Sequence, residues 1–503
     1  MARTRIAPSP TGFPHIGTVY QSLFDKAYAL KTGGQFIWRL EDTDQARTVE
    51  GGVEALKESF NWFKLDPDES IFKTGSYSPY KQSERLEIYK KYADILLENN
   101  YAYRCFCSPE RLAKVREEKQ KNKEIPMYDK HCRNLSREEV EKRIKNGESC
   151  VVRMKVPENE KIICNDLIRG EIEFDSNLID DQVILKSDGF PTYHLAVVVD
   201  DHLMEITDVV RGPEWITSFP KHKLLYKYLG WEMPRFIHTP LLTNMNGAKL
   251  SKRNGHASVA WYRKKGFLYD AILNFISLLG WSHPEEKEIF NFEEFVKCFD
   301  LKDISAVNPK FDLQKLTWMN GQYMKNLNNK EFINRLLEWI EFNLNYKIED
   351  LSVIESIWEI DDYIKLKEFV NSLDDEKKSV FAEMNKGRVK TFEELLPMNK
   401  FFLGEIKLDS EMLNKYKNGE ELINHLAWFK EKIESIDDWS LEKLKNIEVE
   451  VKDKALESGW KIMEGFYPIR IVICRNTISP PLFESIYLLG KEKVLNLISE
   501  HNL

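Results

Sequence analysis

Arg3-Thr4-Arg5-Ile6-Ala7-Pro8-Ser9-Pro10-Thr11-Gly12-Phe13-Pro14-His15-Ile16-Gly17-Thr18 lies near the start of the chain and decides its fold class. Residues 3–8 are short and extended and end at Pro8. A Pro- and Gly-rich turn follows as far as Pro14. Val19, Leu23, Ala27 and Leu30 then recur at helical spacing, and Gly33-Gly34 stops the helix. Phe36, Trp38 and Leu40 alternate with Ile37 and Arg39, which predicts a second strand. Strand, helix and strand within about forty residues form a βαβ unit, so a parallel sheet is expected.

Working outward, residues 86–100 read as a helix. A cysteine cluster follows, then a very polar Lys/Glu segment and short β-like runs such as Val151-Val152-Arg153-Met154. Strand signals return at Thr192–Val199 and Thr207–Val210. Residues 86–196 are therefore read as an insertion into the parallel-sheet domain. From about residue 325 onward Gly and Pro are sparse, and Leu, Ile and Phe recur at threes and fours among Glu and Lys, the pattern of amphipathic helices. A break near Met384–Thr391 divides this tail into two bundles. No internal repeat of fixed period is present.

A chain of 503 residues exceeds one ordinary domain. Its composition is that of a soluble globular protein, and no apolar run reaches the roughly 18 residues of a membrane helix. The first residues run into a strand without a signal-peptide apolar region. Seven cysteines without a secretory signal imply a reducing cytoplasm rather than a disulfide framework. Cys150, Cys164, Cys298 and Cys474 are scattered and read as small buried residues. The net charge of −8 points mildly away from nucleic acid. Lys114–Lys123 and Arg263-Lys264-Lys265 nevertheless offer local basic surface.

Gly12 to Thr18 opens a helix directly after a strand. The spacing of Gly12 and Gly17 is that of a Walker loop without its lysine. A helix N-terminus still favours an anion, and glycine lets a ligand approach the backbone. The alternative is a plain strand-to-helix turn whose histidine caps the helix. More than two hundred residues downstream, Lys249-Leu250-Ser251-Lys252-Arg253 follows an Asn246-Gly247 turn. A lysine loop paired with a His-Ile-Gly turn at the end of a parallel sheet favours phosphate chemistry over that alternative.

His15-Ile16-Gly17-Thr18 resembles the His-Ile-Gly-His signature of class I aminoacyl-tRNA synthetases, and Lys249–Arg253 resembles their Lys-Met-Ser-Lys-Ser loop. Both variants are similar to those of the glutamyl branch, bacterial type. Arg5–Gly12, Leu40-Glu41-Asp42-Thr43-Asp44, Pro191-Thr192-Tyr193-His194 and Arg211-Gly212-Pro213-Glu214-Trp215 add more specific anchors. The resemblance runs from residue 3 to about 325. It continues more weakly into the tail at Pro480–Glu484 and Leu489–Glu492.

The resemblance implies a Rossmann-like α/β catalytic domain (1–85 and 197–240) with an inserted α+β acceptor-stem domain (86–196). A stem-contact domain (241–325) would carry the lysine loop, and two helical anticodon-binding domains (326–388 and 389–503) would follow. It implies ATP-dependent ligation of L-glutamate to tRNA(Glu) by a cytoplasmic monomer, with Mg²⁺ accompanying ATP. The alternative is a non-discriminating enzyme that also charges tRNA(Gln). His15, Lys249 and Lys252 would be catalytic. Gly12, Gly17, Thr18, Leu242 and Ser251 would join them around ATP, and Glu214 would stand near the ATP ribose or the amino acid's amine. A carboxylate is already nucleophilic at neutral pH, so adenylate formation needs positioning and charge stabilisation rather than a general base.

Glutamate presents two carboxylates and one ammonium. Arginines in bidentate geometry suit the first and a carboxylate suits the second. Arg5 and Arg211 fit one need and Glu41 the other, and by resemblance Ala7, Ser9 and Tyr193 complete the pocket. Arg5 could instead pair with Asp42 in a surface bridge, and Glu41 could be a solvated strand end.

Cys105-Phe106-Cys107 and Cys132 supply three soft ligands, and one further donor would make a closed structural zinc site. Some bacterial glutamyl enzymes carry Cys-x-Cys…Cys-x-His there, but Asn134 stands where that histidine would be. Tyr128 is the expected fourth ligand, as in a related tRNA-modifying family, and His131 is the other candidate. That tRNA-modifying family lacks a helical tail. A glutaminyl enzyme would have a β-barrel tail, and a non-catalytic RNA-binding paralogue would have lost His15 or the lysine loop.

Overall fold

The computed structural model describes residues 1–250, 257–346, 358–404 and 419–500. They divide into two compact units, Met1–Val259 with Leu273–Asp312, and Ala260–Ile272 with Leu313–Leu503.

The first unit contains the expected βαβ start: β1 (Arg3–Ile6), α1 (Ile16–Thr32) and β2 (Gln35–Trp38). Strands β1 and β2 pair in parallel, Arg3 opposite Gln35 through Ile6 opposite Trp38. Gly33 ends α1 at φ +65°, donating its N–H to the carbonyls of Ala29 and Leu30. Only glycine adopts that conformation without a steric cost, so the sequence stop signal has a direct backbone cause.

Seven further strands follow: β3 (Ala102–Cys105), β4 (Val151–Met154), β5 (Lys161–Asp166), β6 (Gly170–Asp175), β7 (Val183–Leu185), β8 (Asp208–Arg211) and β9 (Arg235–His238). They form a six-stranded sheet, ordered β2-β1-β8-β9-β5-β6, and a three-stranded antiparallel sheet, β3-β4-β7. The larger sheet is parallel except for β6 at its edge. Strands β5 and β6 belong to the 86–196 span, yet they extend the large sheet rather than the small one. The chain leaves β1 toward β2 on one side and returns to β8 on the other. A crevice therefore opens at the carboxyl ends of β1 and β8, where open α/β sheets bind ligands.

The strand expected over Thr192–Val199 is a helix instead, α2 (Tyr193–Leu203). Its β-branched Val197-Val198-Val199 run favours a strand locally. Every residue from Leu195 to Asp201 is buried, so packing on several faces outweighs that preference. The second strand signal holds, as β8. Residues 86–100 contain the helix Leu86–Glu98, and the Lys/Glu-rich segment is the helix Pro109–Lys121 with Ser108 as its cap.

The second unit is helical, and its described residues include no strand. Helices from Leu313–Asn326 to Lys491–Ser499 enclose one continuous apolar core, including Leu336, Trp339, Leu366, Phe381, Phe429, Val451, Ile471 and Ile486. No helix among the described residues is long and apolar enough to cross a membrane.

Candidate active site

A cavity of about 530 Å³ opens at the carboxyl ends of β1 and β8. Arg5, Ala7, Ser9, Glu41, Tyr193 and Arg211 all line it, so the six residues expected to hold the amino acid converge on one space. Gln21, Thr43, Asp44, Arg47, Lys186 and Trp215 are among the other lining residues. A second cavity of about 260 Å³ is lined by His15, Gly17, Thr18, Glu214, Leu242 and Lys249. Gln21 borders both. Gly12 lies on the turn but lines neither. Ser251 and Lys252 fall outside the described residues.

Arg5 does not pair with Asp42. It is buried, and its Nε and Nη2 donate to the two carboxylate oxygens of Asp201 at 3.1 and 3.4 Å. Arg39 donates to the same Asp201 at 2.7 Å and to Glu41 at 3.1 Å. Burial opposes charge on all four groups, but the ion pairs outweigh it at three of them. Asp201 is held below its ordinary value and both arginines above theirs. At Glu41 burial wins over Arg39 and Arg5, and the carboxyl is pushed up to about 7. Glu41 is 8% exposed, so it is not a solvated strand end.

Arg211 is held differently. Its Nε donates to His238 Nε2 at 2.9 Å and its Nη1 to His222 Nδ1 at 3.0 Å. Weaker bonds reach the Tyr193 hydroxyl and the Trp215 carbonyl. No carboxylate among the described residues contacts Arg211. Asp201 and Glu41 meet Arg5 and Arg39, whereas the buried charge of Arg211 is met directly by no carboxylate among the described residues. Burial lowers the Arg211 pKa, yet a guanidinium stays protonated in proteins.

At the second cavity the Gly17 N–H donates to His15 Nδ1 at 2.9 Å. His15 therefore does cap α1, and a neutral ring must carry its proton on Nε2. The first-turn N–H groups that would cradle an anion are already used. Ile16 donates to the Ala257 carbonyl, Gly17 to the ring and Thr18 to the His15 carbonyl. The helix dipole, the His15 imidazole and Lys249 are the positive features that border this cavity. Lys249 stands on a hairpin closed by the bridge from Thr243 and reaches Glu214 at 3.5 Å. The Glu214 carboxylate lies over Gly212, where any Cβ would come within 2.2 Å of it.

The sulfurs of Cys105, Cys107 and Cys132 lie within 4.8 Å of one another. The Tyr128 hydroxyl stands 3.3 Å from both Cys105 and Cys107 and accepts from the Cys132 N–H at 2.9 Å. Tetrahedral zinc with Zn–S bonds of about 2.3 Å places its donors roughly 3.8 Å apart, so the three thiols and the phenol fit it. His131 is exposed and outside the cluster, as is Asn134.

Sequence reasoning missed Asp201, Arg39, His222, His238 and Asp166. One signal was available: adjacent Asp200 and Asp201 directly after an apolar valine run must be paired if buried.

The family described as tRNA synthetases class I (E and Q), catalytic domain, matches residues 1–318, and an anticodon binding domain matches residues 331–501. A glutamate–tRNA ligase of Gloeobacter violaceus is 41% identical, covering 98% of this chain and 93% of its own. One from Finegoldia magna is also 41% identical, covering 99% and 98%. The crystal structure of a glutamate tRNA ligase from Elizabethkingia meningosepticum, in complex with its amino acid, superposes with a TM-score of 0.84 at 32% identity. That likeness covers 99% of this chain and 98% of the other.

Proposed function

The chain belongs to the class I tRNA synthetases of the E and Q type, and on that premise we propose that it joins L-glutamate to the 3′ end of tRNA(Glu) through a glutamyl-adenylate, releasing AMP and pyrophosphate. The observation that carries the choice of amino acid is the buried charge of Arg211, which no carboxylate among the described residues meets directly. A side-chain carboxylate completes it, whereas an amide would leave a buried guanidinium uncompensated, an expensive arrangement.

In this reading the larger cavity takes glutamate. Arg211 and Arg5 hold its carboxylates, with Ala7, Ser9 and the Tyr193 hydroxyl completing the wall, and Glu41 faces the ammonium. The smaller cavity takes ATP against His15, Gly17, Thr18 and Leu242. Gln21 marks the border across which the α-carboxylate meets the α-phosphorus. The carboxylate needs no base, so the residues orient and stabilise charge. The His15 Nε2–H donates to a phosphate oxygen, and Lys249 leaves Glu214 to neutralise the departing pyrophosphate. Lys252 shares that work by family resemblance, and Glu214 then turns to the ribose. Mg²⁺ bound with ATP supplies further charge neutralisation on the phosphates.

The anticodon-binding helices supply tRNA selection, and the protein acts in the cytoplasm as a monomer. Cys105, Cys107, Cys132 and Tyr128 hold a structural zinc ion, which stiffens the tip that meets the acceptor end. The test is glutamate-dependent pyrophosphate exchange with and without tRNA(Glu), followed by charging of that tRNA. Folded protein with no exchange under either condition would remove the reading.

A further inference from the structure

Arg5 and Arg211 are both buried in the same cavity wall, but their partners differ in kind. Asp201, shared with Arg39, grips Arg5 and offsets its charge. Two imidazoles grip Arg211. Arginine can only donate, so each nitrogen that faces it must be unprotonated. His238 therefore accepts at Nε2 and carries its proton on Nδ1, 2.7 Å from Asp166 Oδ2. Asp166 is anchored further by the N–H groups of His238, Ile168 and Arg169. His222 accepts at Nδ1 and carries its proton on Nε2, 3.2 Å from His194 Nδ1. His222 and His238 are almost fully buried, at 1% and 0% exposure. The guanidinium thus fixes the tautomer of every ring in the chain, and the rings fix the guanidinium.

We propose that His222 and His238 are positioning residues for the choice of glutamate over glutamine: they satisfy the Arg211 donors without neutralising them. An aspartate or glutamate at either position would hold Arg211 equally firmly. It would also supply the negative charge that the substrate is meant to bring. Asp166 orients His238 but is kept one ring away from Arg211. The proposal rests on the reading that Arg211 receives a glutamate carboxylate.

The test compares an acceptor-keeping variant with a charge-supplying one at the same position. Aminoacylation of tRNA(Glu) is measured for H222N, H222D and R211Q, with KM for glutamate and for ATP, kcat, and inhibition by glutamine. An asparagine oxygen replaces Nδ1 as acceptor, so H222N should keep KM for glutamate within about threefold. H222D should raise it on the order of a hundredfold and leave KM for ATP near its starting value. It should narrow the preference for glutamate over glutamine by about tenfold or more. A residue with only a structural role would give H222N and H222D the same profile and an unchanged preference.

Folded H222D with its glutamate preference within about twofold of the parent overturns the proposal, because a charge-neutralised pocket must lose discrimination. The pair H238Q and H238E repeats the comparison should H222D fail to fold, with the same two outcomes. R211Q separates the levels. If it leaves KM for glutamate unmoved, the substrate assignment falls and takes the proposal with it. If R211Q raises KM while H222D and H238E do not, the histidine role alone falls.

Discussion

The carboxylate of Asp201 grips the guanidinium of Arg5 side-on, with Nε donating to one oxygen at 3.1 Å and Nη2 to the other at 3.4 Å. Both side chains are 4% exposed or less. Asp201 also takes Arg39, which in turn holds Glu41. One buried carboxylate thus sets the orientation of Arg5 directly and of Glu41 through Arg39. Removing its charge leaves two buried guanidinium groups with one carboxylate fewer between them. D201N should destabilise the protein by about 3 kcal/mol or more, the usual penalty for an orphaned buried charge. It should also raise KM for glutamate more than KM for ATP. Chemical denaturation with parallel kinetics checks both. A stability loss with both KM values unchanged would mean that Asp201 serves packing alone.

If Glu41 meets the ammonium as proposed, the binding of glutamate is pH-dependent. Its carboxyl is pushed up to about 7 by burial, against an ordinary value of 4.5. Only the ionised form attracts an ammonium. The free enzyme therefore loses its competent form as pH falls through 7, and kcat/KM for glutamate should drop about tenfold per unit below that point. At pH 8 and above the dependence on this group should vanish. E41Q should bind glutamate more weakly at pH 8, approach the parent enzyme well below pH 7, and abolish the limb near 7. A profile flat from pH 8 to pH 5.5 in the parent enzyme would show that Glu41 does not meet the amine.

The line between what the sequence disclosed and what it hid follows the range of the interactions. The turn at Pro8–Pro14, the α1 stop at Gly33 and the Asn246-Gly247 hairpin depend on local backbone chemistry, and each was legible. Arg5, Glu41 and Arg211 were legible through short motifs. Their partners were not. Asp201 lies 196 residues from Arg5, and Asp166 lies 72 from His238. Only the sheet order brings them together. Residues 193–203 misled because a valine run favours a strand until burial on several faces is known. Strands β5 and β6 were read as part of an insertion because nothing in Lys161–Asp166 reveals that β9 will be its neighbour.

The cap observed at His15 and the phosphate contact proposed for it use different ring nitrogens, and substitutions can separate them. Nδ1 caps α1 by accepting from Gly17, and the opposite nitrogen carries the proton assigned to phosphate. Asparagine keeps a cap but cannot reach as far. H15A should lose about 1 kcal/mol of stability, the ordinary value of an N-cap. H15N should keep most of that stability, yet lose on the order of a hundredfold in kcat, the scale of one lost transition-state donor. Thermal melts and single-turnover adenylate formation give the two readouts. Equal activity in H15N and the parent enzyme would reduce His15 to a cap.

The cysteine cluster separates a metal site from a set of thiols that merely pack together. Cys105 closes β3, Cys107 follows two residues later, and Cys132 approaches Cys107 to 3.6 Å. Arg111 donates to the Cys107 sulfur at 3.5 Å, and the Arg153 guanidinium lies 4.0 Å from the centre of the Tyr128 ring. Three thiols and a phenol at tetrahedral spacing suit zinc, which binds their deprotonated forms and releases the protons. Purified protein should therefore carry about one zinc per chain by elemental analysis, with C132S losing it. Y128F should retain zinc but release it to a chelator about tenfold or more faster, since a ligand oxygen is gone. H131A should behave as the parent enzyme does. Zinc at one per chain in C132S would break the assignment. Absence of zinc from the parent enzyme, with the melting temperature unmoved by added metal, would leave the three thiols and the Tyr128 hydroxyl as a hydrogen-bonded apolar cluster.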